Sequence, residues 1–166
     1  MKGYVERIIN NYQSMVKERE QIKIKLNELQ NAYITDRDII EAMSFSHPDD
    51  ADRVQTSGTS DKTCKIALCY RDKRNQVLDE SYAFWSNRYA KVNLEIETFE
   101  EAVKRLPDDM AEVIKLLVIE NNTWEQVETM LCMSRMTLHR FRKLAIEELV
   151  RVYQRQEAME VSVLLG

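Results

Sequence analysis

TWEQVETMLCMSRMTLHRFRKLAI, Thr123 to Ile146, contains two helix starts and one short turn. Thr123 and Gln126 have the spacing of a capping box, in which the hydroxyl accepts from the third backbone N–H and the amide reaches back to the first. The spacing predicts a short helix from Trp124 to Leu131, with Val127, Met130 and Leu131 toward a core. Beyond Cys132 and Met133, Ser134 is placed to cap a further helix, along which Leu138, Phe141, Ala145 and Leu149 form one apolar face. Two helices joined by a turn of about three residues have the layout of a helix-turn-helix.

Upstream, Pro107 disfavours helical backbone at Leu106 and so ends whatever helix precedes it. Asp108, Asp109 and Glu112 then place acids in the first turn of a new helix, where the dipole favours them. That helix points Val113, Ile114, Leu117 and Val118 inward and should halt at Asn121-Asn122, a pair able to take left-handed backbone.

Charge is sorted across these helices. From Pro107 to Met133 there are six acids and one base, Lys115; from Ser134 to Ile146 there are Arg135, Arg140, Arg142 and Lys143 and no acid. The whole chain is acidic, with 28 Asp and Glu against 24 Lys and Arg and a net charge of −4. Any anionic partner must therefore be met locally, because the overall field does not attract it. With Leu138 and Phe141 turned to the core, helical spacing leaves Arg135, Met136, His139, Arg140 and Lys143 on or near the outward face. In a helix-turn-helix the last helix enters the major groove, where basic side chains meet phosphates and base edges. Arg135 and Arg140 carry forks suited to the two acceptors of guanine, Met136 could touch a thymine methyl, and His139, Arg142 and Lys143 suit phosphates. A basic helix that is only a solvated face is the plainer explanation of the same charges.

The rest of the chain has another pattern. Val5, Ile8, Tyr12, Met15, Ile22, Leu26, Leu29 and Tyr33 stand three and four residues apart, with Arg19 on the same seam. This predicts a long N-terminal helix with a narrow, coiled-coil-like stripe. Thr35 and Asp38 resemble a capping box that opens a short second helix ending near Phe45. Ser44 to Ser60, with Pro48 and Gly58, has neither period and reads as a polar loop. From Asp61 to Arg105, Leu78, Tyr82, Trp85, Tyr89, Val92, Ile96, Phe99 and Val103 repeat the three-four spacing, which Leu106 continues; Arg71 and Asn75 make the earlier part poorer. Such a stripe either packs on the first helix of the same chain or pairs with a second chain. In the second case Tyr82, Trp85, Tyr89 and Val92 lie in or beside a homodimer interface.

LPDDMAEVIKLLVIENNTWEQVETMLCMSRMTLHRFRKLAIEEL, Leu106 to Leu149, resembles region 4 of the bacterial sigma-70 transcription initiation factors. Ser134, Thr137, Leu138, Ala145 and Leu149 fall on that pattern's recognition helix. The wider layout is similar to small late-gene transcriptional regulators of phages and prophages of Gram-positive bacteria, the ArpU and RinA group. The resemblance implies an all-α protein in which heptad-patterned helices precede a sigma-4-like helix-turn-helix. It also implies a sequence-specific regulator of transcription that binds double-stranded DNA through this helix, where the candidate contacts are Ser134, Arg135, Met136, His139, Arg140, Arg142 and Lys143, with RNA polymerase facing the acidic side near Trp124 and Glu125. No aromatic-rich basic helix of the promoter-melting kind precedes it.

The chain departs from the pattern in two places. Glu128 stands where the second helix usually has a small Ala, and Cys132 where the turn usually has Gly. A left-handed Cys costs roughly 1 kcal/mol, so the turn is expected to use another conformation.

These readings divide the chain into N-terminal helices over 1–43, a loop over 44–60, a long helix over 61–105, a DNA-binding domain over 106–155 and a tail over 156–166. Other functions fit less well. A phage small terminase-like packaging protein also joins a helix-turn-helix to oligomerising helices, but in the opposite order, and a helical protein-interaction adaptor needs no basic helix. Catalysis, a cofactor and a metal are not expected. Three cysteines without a CxxC spacing and two scattered histidines form no ligand cluster, and His47 with Cys64 lacks a supporting motif. No apolar run approaches the roughly 20 residues of a membrane span, and charges occupy the N-terminus, so a soluble, cytoplasmic protein is expected.

Overall fold

The computed structural model describes residues 1–35, 37, 38, 41 and 60–165. Among these residues every regular element is helical and there is no strand. Helix α1 spans Lys2–Asn31 and α2 spans Ser60–Lys104. Helix α3, Asp108–Ile114, continues as a π-helical turn over Lys115–Ile119. Helices α4, Trp124–Leu131, and α5, Arg135–Leu165, follow. No helix among the described residues is long and apolar enough to cross a membrane.

Two compact units form, one from Met1–Glu20 with Ala90–Gly166 and one from Gln21–Tyr89. In the first, α1 and α2 run antiparallel. The Tyr12 hydroxyl donates to Glu100 Oε1 at 2.6 Å, its ring lies 5.4 Å from that of Phe99, and Arg19 Nη1 donates to Asn93 Oδ1 at 3.5 Å. Val5, Ile8 and Tyr12 are buried, as are Val92, Ile96, Phe99, Val103 and Leu106. The heptad stripe is thus taken up inside one chain over this length, and Val92, only 4% exposed, is not available at a dimer interface.

The second unit repeats the antiparallel pairing. The Tyr33 hydroxyl donates to Asp79 Oδ1 at 2.7 Å. Asn75, which interrupts the apolar series, receives the Ile34 N–H at 3.3 Å and donates to the Ile34 carbonyl at 3.2 Å. Its amide thereby satisfies backbone left open just beyond the end of α1.

Thr35 and Asp38 form the expected reciprocal cap, with Thr35 N donating to Asp38 Oδ2 at 2.7 Å and Asp38 N to Thr35 Oγ1 at 3.3 Å. These bonds hold the Asp38 carboxyl below its usual pKa, the backbone bond from Thr35 being the largest cause. The end of that segment near Phe45 and the loop over 44–59 lie outside the described residues; Ser60 already opens α2.

The ends of α3 and α4 explain how the last helices are set. Pro107 has φ −54° and ψ 143°, and its carbonyl accepts from Met110 and Ala111, both at 2.9 Å. At the other end the helix widens: Glu120 N donates to Lys115 O at 2.9 Å and Asn122 N to Leu116 O at 3.0 Å, around Asn121 at φ 56°. Gln13 of α1 reaches this widened turn and donates from Nε2 to Val118 O at 2.7 Å and Ile119 O at 2.9 Å. Carbonyls at a helix end lack partners within the helix, so this one side chain ties α1 to the end of α3.

Val113, Val127 and Leu138, one each from α3, α4 and α5, are fully buried together, with Leu116, Leu117, Trp124, Leu131, Met133 and Phe141 packed around them. Met130 is not in this core: it is 57% exposed, because Val127 and Leu131 already fill the inward face of so short a helix. The tail assigned to 156–166 is helical to Leu165, continuing α5. Just before it, Val152 and Tyr153 are buried, with the Tyr153 ring edge-on to Tyr4 of α1 at 5.8 Å.

Candidate nucleic-acid interface

The candidate surface begins at the turn between α4 and α5. Thr123 accepts from Gln126 N at 3.4 Å while Gln126 Oε1 accepts from Thr123 N at 2.8 Å, the reciprocal cap expected there. At the far end of α4, Cys132 is left-handed, with φ 51° and ψ 37°. The expectation that Cys would push the turn into another conformation is therefore overturned. Met133 N and Cys132 N both donate to Glu128 O, the former at 3.2 Å, and Cys132 Sγ lies 3.7 Å from Thr129 O. Closing carbonyls that a helix end leaves open offsets the strain of the left-handed Cys.

Ser134 then starts α5, its hydroxyl accepting from Thr137 N at 3.3 Å and lying 2.9 Å from Thr137 Oγ1. Ser134 itself is exposed. Leu138, Ala145 and Leu149 are fully buried. On the opposite side Met136, Arg140 and Lys143, four and three residues apart, form one exposed stripe, and Met136 is 83% exposed. The same stripe ends in an acid, Glu147, one turn beyond Lys143.

The other named residues lie to one side of it. Arg135 is exposed, with Nε 4.0 Å from Glu128 Oε1. That carboxylate oxygen is buried and accepts no hydrogen bond, so its attraction for Arg135 is the compensation it finds. His139 is exposed at one edge but stacks on Trp124, with ring centroids 4.2 Å apart and planes 19° apart. Arg142 is half-buried and lines a polar cleft of about 300 Å³ with Asn10, Gln13, Asn121, Asn122 and Trp124. It belongs to the flank rather than to the stripe of Met136, Arg140 and Lys143.

The geometry therefore groups Met136, Arg140 and Lys143 and sets Arg135 and His139 beside them. Two relationships were missed in the sequence: Glu128 with Arg135, and Trp124 with His139. The first pair is seven residues apart and the second fifteen, across a turn, so neither falls within one helix's three-four spacing. Among the described residues no group of three or more His, Cys, Asp or Glu side chains comes together to hold a metal ion.

Compared with family models, curated proteins and solved structures, the chain finds no match in any of the three.

Proposed function

We propose that this chain is a sequence-specific DNA-binding regulator of transcription, with α4 and α5 as a helix-turn-helix of the sigma region 4 kind and α5 as the helix that enters the major groove. The observation that carries this reading is the stripe of Met136, Arg140 and Lys143, exposed at the start of a helix whose opposite face is buried and which has no acid before Glu147. Such a helix offers its N-terminal turns to base edges, while exposed bases beside it meet the backbone. Arg140 at the middle of the stripe suits guanine, Met136 a thymine methyl, and Lys143 a phosphate. Arg135 and His139 meet the same duplex from the flank, with Ser134 at the helix cap and Arg142 toward the backbone. The acids Asp108, Asp109, Glu112, Glu125 and Glu128 lie outside α5 and form the side offered to RNA polymerase, as the resemblance implies. By the same resemblance the source is a phage or prophage; that the protein acts as a homodimer rests instead on the heptad-like stripes of its long helices.

Selection of bound fragments from random duplex DNA tests this directly. A single enriched motif, with affinity that falls steeply as salt rises, is the expected result. Binding of all sequences alike, or no binding at low salt, overturns it and favours a helical adaptor.

A further inference from the structure

Helix α2 has two apolar stripes, and the described chain covers one of them. Opposite the buried stripe, Ile66, Tyr70, Val77 and Phe84 are 62%, 61%, 61% and 63% exposed. Their spacing is a heptad series in which Lys73 and Glu80 occupy the two intervening core-type positions. Single exposed apolar residues are ordinary, but four in register along one helix face form an apolar seam, interrupted only by Lys73 and Glu80. Beside Ile66 and Tyr70, with Lys65, Cys69 and Lys73, the surface dips into a shallow depression of about 380 Å³.

We infer that this face pairs with the same face of a second copy of the chain, antiparallel, about a two-fold axis near Val77. The charges select both the partner and the direction. In a parallel pair Lys73 would face Lys73 and Glu80 would face Glu80, and like charges at core positions repel. Turned antiparallel about Val77, the second copy sets its Phe84 opposite Tyr70 and its Glu80 beside Lys73 and Arg74. The patch is then complementary to itself, as a two-fold interface requires. Aromatic rings on both sides of Val77 supply the large apolar area that such an interface needs, and Ile66 extends the seam beyond them. This pairing stands independently of DNA binding, and it uses the face of α2 opposite Tyr82, Trp85, Tyr89 and Val92.

Light scattering on the full chain, alone and as Val77→Glu, is the first test. The intact protein should show twice the 19.6 kDa chain mass, and the variant one chain mass with unchanged helical circular dichroism, because Val77 is exposed in the single chain. Orientation is read by oxidation in a background with Cys64, Cys69 and Cys132 replaced by serine. There Tyr70→Cys mixed with Phe84→Cys should cross-link, and neither should cross-link alone. A monomeric intact protein, a Val77→Glu variant that keeps the double mass, or a Tyr70→Cys chain that cross-links to itself each overturns the proposal.

Discussion

Trp124, the first residue of α4, stacks on His139 in the second turn of α5, with ring centroids 4.2 Å apart and planes 19° apart. The stack holds the start of α5 against α4 from the side, while Val127 and Leu138 hold it from within. A double-mutant cycle with Trp124→Ala and His139→Ala should give a coupling energy of about 0.5 to 1.5 kcal/mol in denaturant unfolding. Additive effects would mean that the stack orders neither helix.

The proposed DNA contacts separate by position. Arg140→Ala should cost about 1 to 3 kcal/mol at the preferred site and relax base choice there, whereas Lys143→Ala should weaken all sequences alike and make the salt slope shallower by about 1. Equal loss on specific and random duplexes for Arg140→Ala would reduce that residue to a phosphate contact. Glu128→Gln should act in the opposite sense: removing the charge beside Arg135 frees the guanidinium and raises affinity for any duplex, with a gain of at most about 1 kcal/mol because the two groups stand 4.0 Å apart and the Arg135 guanidinium remains open to solvent.

Cys132→Gly should stabilise the protein by roughly 1 kcal/mol, since glycine takes φ 51° without strain and the Sγ to Thr129 O approach that it removes is a long one. A rise of about 2 to 4 °C in Tm is the corresponding reading. Cys132→Val should lower Tm, because branching at Cβ makes left-handed backbone worse. If glycine also lowers Tm, strain at the turn is not what limits stability.

Gln13→Ala removes both side-chain donors to Val118 O and Ile119 O, each worth about 0.5 to 1.5 kcal/mol. Gln13→Glu should be worse than alanine above the carboxylate range, because a charged oxygen would then face two carbonyls. Urea midpoints for the three proteins at neutral pH should fall in the order Gln, Ala, Glu.

Tyr12 has its pKa raised, first by burial and then by its bond to the Glu100 carboxylate. A raised value means that the folded state keeps the phenolic proton longer than the unfolded chain does. The stabilising contribution is therefore complete below the unfolded value of about 10 and is lost as pH climbs above it. Unfolding free energy should decline above pH 10, and Tyr12→Phe should flatten that decline while lowering stability at neutral pH. Tyr153, raised mainly by its own burial, adds to the same alkaline loss and would persist in the variant.

The helices, their caps and the sorting of charge were legible in the sequence because each is settled within a turn or two of backbone. Thr123 with Gln126, Ser134 with Thr137, and Thr35 with Asp38 find their partners three residues away. The periodic stripes of α1 and α2 were legible for the same reason, since 3.6 residues per turn places them whatever they pack on.

Tertiary structure decided what those stripes and side chains meet. Both apolar faces of α2 carry helical spacing, and only the antiparallel fit of Tyr12 to Phe99 and Tyr33 to Asp79 chose which one the chain covers. The left-handed Cys132 depends on closure to Glu128 O, Met130 is exposed because α4 is too short to bury it, and Arg142 sits in a cleft made partly by α1. The covered face of α2 and the cleft at Arg142 compare long-range alternatives that a local pattern leaves equal in energy, whereas the turn at Cys132 closes on its own helix end. The sequence by itself therefore determined the elements and the charge that α5 carries, and the packing of distant segments determined which faces remain open.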